Sequence, residues 1–221
     1  MQKHNNQCDV FGMRFSAIQI LLGTLVAIYV LLALTMNTYP GRVAYGLMVL
    51  DPDRVLHHFE LWRLLTYALV HDLSSPMHLL FNGMVLYFMG PELEYRWGKP
   101  RFLGYVFATA LGGGIFVCAS YLLNLSHASV IGFSGVCAGL VVAWGMMFPY
   151  RMVYLFGVIP LTGRQMLVAT VAIELLYAMS GSNISSAAHF GGMAAGALLG
   201  TGMVGPGAIR QLKWRLKTHW R

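Results

Sequence analysis

Six apolar stretches recur along this chain, separated by segments that carry most of its polar and basic residues. They run roughly over Ser16–Met36, Pro76–Glu94, Phe102–Leu123, Phe133–Phe148, Gln165–Met179 and Ala187–Val204. A helix needs about 20 apolar residues to cross the hydrocarbon core of a bilayer. Backbone polar groups in lipid must be satisfied within the fold, which selects helices for segments of this length. Strands of a membrane barrel would be shorter and would alternate in polarity. The pattern predicts an all-α membrane protein with six spans, the fourth of them short.

The segment between the first two stretches, Asn37–Ser75, is too polar to span and too apolar for a free linker. Val43–Leu50 and Val55–Leu69 place apolar residues at helical spacing, which predicts amphipathic helices lying on one leaflet. Trp62, Tyr39, Tyr45 and Tyr67 suit an interface.

Composition agrees. The chain has 221 residues, 57% apolar and 10% charged, against about 45–50% and about 25% for an average soluble domain. With a mean hydropathy of +0.61, the polar side chains are too few to cover a water-facing surface. Net charge is +7, which in a soluble protein would suggest nucleic acid. Here the basic residues lie between apolar runs and read as topology signals, so no nucleic-acid partner is expected.

Those basic residues orient the chain. The N-terminal segment, the loops after spans two and four, and the C-terminal tail hold 12 of the 15 Lys and Arg. By the positive-inside rule both termini are cytoplasmic and Asn37–Ser75 lies outside. The first apolar run follows a polar stretch and lacks a small-residue cleavage site before Asn37, so it reads as a retained span. The expected organisation is a cytoplasmic segment over 1–15, a membrane domain over 16–204 and a basic cytoplasmic tail over 205–221. Cys8, Cys118 and Cys137 form no disulfide or zinc pattern. His57, His58 and His71 read as interfacial loop residues without a complete ligand set. No metal or organic cofactor is expected.

The chemistry lies in polar residues inside the apolar stretches, where they are costly: His78, Asn82, Ser134, Glu174 and His189. From Ser134 to Met147 a helix would be roughly 21 Å long, against a core about 30 Å thick. Ser134 would then start roughly 10 Å below the outer surface, preceded by a non-helical stretch, Ser126–Gly132, that must be buried in protein or line a wet cavity. His189 is followed by Gly192, Gly196 and Gly200 on one helix face, a seam that permits close helix packing. Gly135 and Gly139 give the fourth span a matching face. If the seams meet, an imidazole stands beside a hydroxyl, the minimum for an activated serine. His78 and Asn82 share a face at i and i+4 and offer N–H donors for a developing oxyanion, with the free N–H groups at the start of span four. Gly112-Gly113-Gly114 reads as close helix packing, since no strand precedes it.

Gly132-Phe133-Ser134-Gly135, Ala188-His189-Phe190-Gly191-Gly192 with Gly196, His78-Leu79-Leu80-Phe81-Asn82 and Glu60-Leu61-Trp62-Arg63 together resemble the rhomboid intramembrane serine proteases. The likeness covers about Val55 to Gly200, in the family's order. It implies a six-helix rhomboid bundle, a Ser134–His189 dyad without a third acid, and an oxyanion hole of His78, Asn82 and the Ser134 backbone. It implies structural roles for Trp62 and Arg63. It implies substrates that are transmembrane segments with helix-breaking residues, entering sideways between the second and fifth helices. The sequence departs from the pattern at Ala138, where many members carry an aromatic residue against the histidine. Cys137 or another residue must then support His189. Glu174 is a second departure: it could bond to a polar group in the bundle or act at the substrate gate.

Two other functions fit the same residues less well. A non-catalytic rhomboid-like binder of transmembrane helices need not keep both Ser134 and His189. A small transporter lined by Glu174, His78 and Asn82 would be expected to show repeated halves with interrupted helices. The short form suggests a prokaryotic inner-membrane protein by analogy, and leaves the oligomeric state open.

Overall fold

The computed structural model of the chain describes residues 8–10, 13–155, 158–180 and 186–200. The expected basic tail, the last residues of the sixth apolar stretch and residues 1–7 lie outside the described residues.

A hairpin of β1 (Cys8–Val10) and β2 (Met13–Phe15) leads into helix α1 (Ala17–Thr35). Ser16 and Gln19 form a capping box at its start: Ser16 Oγ accepts from the Gln19 N–H at 3.2 Å, and Gln19 Oε1 accepts from the Ser16 N–H at 2.9 Å. Glu94 Oε1 accepts from Ala17 N–H at 2.9 Å, bringing a carboxylate to the positive end of the helix.

The outer segment forms α2 (Tyr39–Met48), α3 (Pro52–His58) and α4 (Arg63–Thr66), the last running into a 3₁₀ turn at Tyr67–Leu69. The single helix expected over Val55–Leu69 is therefore broken. Phe59 sits in the left-handed region at φ 57° and ends α3. The break turns the chain back onto the C-terminus of α2, whose last carbonyls lack helical partners. Arg63 Nη1 donates to the carbonyls of Gly46 at 2.5 Å and Val49 at 2.6 Å. Trp62 Nε1 donates to Leu47 at 3.0 Å and Thr66 Oγ1 to Met48 at 2.9 Å. A cation also suits that end of a helix electrostatically. Tyr67, expected at the interface, is instead buried, its hydroxyl donating to the Ala110 carbonyl at 2.9 Å.

Next come α5 (Pro76–Trp97) and α6 (Lys99–Leu122), joined at Gly98, then the short α7 (Ser134–Met147). A hairpin of β3 (Met152–Leu155) and β4 (Ile159–Thr162), not expected from the sequence, connects α7 to α8 (Gly163–Ser180). The last described helix is α9 (Ser186–Gly200). Helices α1 and α5 to α9 thus lie on the apolar stretches of the sequence, and α1 and α6 are by themselves long and apolar enough to cross a membrane.

Helix α7 is the centre of the molecule. Every residue from Gly135 to Gly145 is buried. The outside carries bare apolar side chains instead: Val30, Leu31 and Leu34 on α1, Tyr87 and Phe88 on α5, Phe107 and Ile115 on α6, Leu175 and Leu176 on α8. Exposed apolar surface on this scale marks a face that meets lipid or a partner rather than water.

The glycine seams of α7 and α9 meet. A Cβ on Gly139 would lie 2.8 Å from the Gly192 carbonyl oxygen, and one on Gly200 2.9 Å from Ala143 Cβ. On its other side α9 presses on α6, where a Cβ on Gly112 would lie 2.9 Å from the Gly191 carbonyl oxygen and from Ala195 Cβ. The glycine triplet of α6 is thus a packing surface. Helices approach this closely only where side chains are absent.

Candidate active site

Ser134 opens α7 because the chain before it cannot be helical. Leu50 and Val130 exchange two backbone hydrogen bonds, at 3.0 and 2.8 Å, and the Gly132 N–H donates to the Tyr67 carbonyl at 2.9 Å. The outer loop thereby pairs the backbone of the incoming strand-like segment, as buried non-helical backbone requires. Gly132 has φ 115°, and a Cβ there would lie 2.6 Å from His78 Cε1 and Nε2. Both its backbone angle and its contact with the imidazole demand glycine.

His189 lies in the first turn of α9. Its Nε2 is 2.7 Å from Ser134 Oγ. The backbone around the pair is held by the seam: a Cβ on Gly135 would lie 2.9 Å from the Ala188 carbonyl oxygen.

His78 and Asn82 face the same place from α5. The Cβ position built on Gly132 lies 3.7 Å from Ser134 Oγ as well as 2.6 Å from the His78 ring, so hydroxyl and imidazole flank Gly132. One turn along, Asn82 is buried and its Nδ2 has no hydrogen-bond partner. Its main-chain carbonyl accepts from Cys137 Sγ at 3.4 Å, tying α5 to the first turn of α7. A buried amide donor without an acceptor is unfavourable at rest, and is the kind of group that a developing anion would satisfy.

Two residues near the site have surroundings that the sequence left unassigned. His71 is buried at 1% exposure, edge-on to His78 with ring centroids 5.1 Å apart, rather than at an interface. Burial, then the neighbouring His78, pushes its pKa down to about 4. Its position outside the apolar stretches gave no sign of this. Glu174 of α8 was visible as an intramembrane acid without a partner. Its Oε1 lies 2.7 Å from His189 Nδ1. The two atoms are at ion-pair distance without the alignment of a formed hydrogen bond, and Oε2 has no hydrogen-bond partner. Two other histidines take local roles: His57 Nδ1 meets Asp53 Oδ1 at 2.9 Å and His127 packs edge-on to Tyr121. Hydrogen bonds from Tyr121 and His57 hold the Asp53 carboxyl below its usual range. Among the described residues no group of three His, Cys, Asp or Glu side chains is arranged to hold a metal ion.

The family model of the rhomboid domain matches residues 58–206 of this chain, which include His71, His78, Asn82, Ser134, Glu174 and His189. The chain belongs to the rhomboid family. It is a helical integral membrane protein. Among relatives, it is 34% identical over 143 residues to YdcA, a candidate rhomboid protease of Bacillus subtilis (strain 168), covering 63% of this chain and 66% of the relative. It is 31% identical over 151 residues to RHOMBOID-like protein 1 of Arabidopsis thaliana, covering 68% of this chain and 36% of that protein. It is 28% identical over 193 residues to Rhomboid protease GluP of Bacillus subtilis (strain 168), covering 86% of this chain and 34% of that protein. The matches thus span just under two thirds of the first relative's length and about a third of the other two.

Proposed function

We propose that this rhomboid-family chain is an intramembrane serine endopeptidase that cuts transmembrane segments of other membrane proteins through an acyl-enzyme. The observation that carries the reading is the 2.7 Å approach of His189 Nε2 to Ser134 Oγ, in a chain whose relatives include proteins named as rhomboid proteases.

Ser134 Oγ attacks the scissile carbonyl carbon and passes its proton to His189 Nε2. Negative charge on the carbonyl oxygen is met by Asn82 Nδ2, the His78 ring N–H and the Ser134 backbone N–H, donors in place before the reaction. The amine leaves with the proton from Nε2, and water hydrolyses the ester by the same route. A substrate helix hides its carbonyls in its own hydrogen bonds, so cutting requires a segment that unwinds locally. In the bilayer, α1 and α5 to α9 are the six spans, residues 16–204 form the membrane domain, and the flanking segments 1–15 and 205–221 are cytoplasmic. In a prokaryote this places the protein in the inner membrane.

The test is fluorophosphonate labelling of the purified chain in detergent, wild type against Ser134→Ala and His189→Ala. Labelling of wild type alone supports the reading. An unlabelled, well-folded wild type sinks it and favours a non-catalytic binder of transmembrane helices.

A further inference from the structure

An imidazole that accepts a proton from Ser134 at Nε2 must carry its own proton on Nδ1. Something has to hold that tautomer and oppose the positive charge that forms when the serine proton arrives. Ala138, one turn after Ser134, offers the ring neither an aromatic face nor a polar atom. Cys137, the neighbour that could have served, points its thiol to the Asn82 carbonyl instead. Glu174 is in place: Oε1 stands 2.7 Å from His189 Nδ1, with the two side chains 11% and 13% exposed.

The burial of Glu174 is itself informative. In α8 the buried residues are Gly163, at its first position, and Glu174. The helix turns most of its apolar side chains outward, among them Val168, Ile173, Leu175 and Leu176, and turns a carboxylate inward. An ionised carboxylate is expensive to bury unless it is paired. Among the described residues the basic group at ion-pair distance from it is His189.

We infer that Glu174 is a positioning residue of the hydrolytic site, completing a Ser134–His189–Glu174 triad in which its carboxylate orients His189 and stabilises the imidazolium. This rests on the serine-protease reading above. As the bond from Ser134 Oγ to the carbonyl carbon forms, the hydroxyl proton moves to Nε2 and the ring becomes a cation facing Glu174. As the C–N bond breaks, that proton leaves on the amine nitrogen. Glu174 exchanges no proton in either half of the reaction. The imperfect alignment at Nδ1 is what a resting site shows when its hydrogen bonds tighten only with substrate bound.

The experiment uses the full chain in phospholipid vesicles and a fluorophosphonate probe, measuring labelling rate against probe concentration. Glu174→Gln keeps the shape and removes the charge. Its maximal labelling rate is expected to fall by about 100-fold, with the half-saturating probe concentration and thermal midpoint unchanged. Glu174→Asp is expected to recover part of the rate. A packing role would move the midpoint and leave the rate of the folded fraction intact. A Ser134-dependent label with Glu174→Gln within about twofold of wild type overturns the inference alone. A wild type that labels no better than Ser134→Ala overturns it together with the protease reading. Should Glu174→Gln not fold, nitrogen NMR of histidine-labelled wild type decides: a proton on His189 Nδ1 is expected, and a proton on Nε2 overturns the triad.

Discussion

Gly196 of α9 lies against Gly139 of α7 so closely that a Cβ on Gly196 would sit 2.8 Å from both the Cα and the carbonyl oxygen of Gly139, and 2.6 Å from the Tyr105 hydroxyl. That hydroxyl donates to the same carbonyl at 2.6 Å. Backbone cannot retreat as a flexible side chain does. Gly196→Ala is therefore expected to destabilise the bundle by about 1–3 kcal/mol and to separate His189 from Ser134. Thermal unfolding and fluorophosphonate labelling should fall together. Gly104→Ala on α6, where a Cβ meets nothing within 4 Å, is the matched control and should leave both intact.

On the protease reading, Asn82 is expected to separate function from stability. Its Nδ2 is buried with no partner, so removing that donor leaves no former acceptor unpaired in the resting protein. Asn82→Ala is expected to slow labelling of Ser134 by about 10²–10³-fold, the scale of losing one oxyanion donor. The thermal midpoint should hold. A lower midpoint with an unchanged labelling rate would make Asn82 a packing residue.

Arg63 is a structural cation. It is 5% exposed, pairs with Glu60 Oε2 and caps α2 through two carbonyls. Arg63→Ala leaves those acceptors and Glu60 without their donor, for an expected loss of about 2–3 kcal/mol. Arg63→Lys should recover little, because one ammonium cannot serve three acceptors in the guanidinium's fork. Hydrogen exchange over residues 39–50 would read the effect directly, and unchanged protection there would refute it.

The helices were largely legible because their signal is local. Ser134–Met147 begins and ends in the structure within a residue of the apolar stretch Phe133–Phe148. The glycine faces that join α7 to α9 were legible for the same reason, since each is a periodicity on one helix. Pairings across distant segments were not. Nothing in Asn37–Ser75 announces that Leu50 pairs with Val130, or that Phe59 turns left-handed to fold Arg63 onto α2. Glu174 could be marked as unusual but not assigned, because its partner is set by how α8 leans on α9. The hairpin of β3 and β4 was missed because Met152–Thr162 is short and sits in a basic loop.

His71 gives a pH dependence of defined sign. Its folded pKa lies at about 4, below the ordinary 6.5. The unfolded chain takes up the proton first, so acid favours unfolding. The stability that depends on a neutral His71 is complete above pH 6.5 and is lost as pH falls toward 4, amounting to about 2–3 kcal/mol at the acid end. Thermal midpoints measured from pH 7 to pH 4 should decline in wild type and decline less in His71→Leu. Parallel curves would show that His71 does not drive the effect.

The hydroxyl of Ser134 and the imidazole of His189 are 55 residues apart in sequence, on helices α7 and α9. Chains are synthesised from the N-terminus, so a ribosome delivers Ser134 well before His189. Until α9 packs its glycines along α7, Ser134 has no His189 beside it. The seam therefore works as a timer: on the protease reading, the half-made chain lies among other nascent helices without the pair that would cut them.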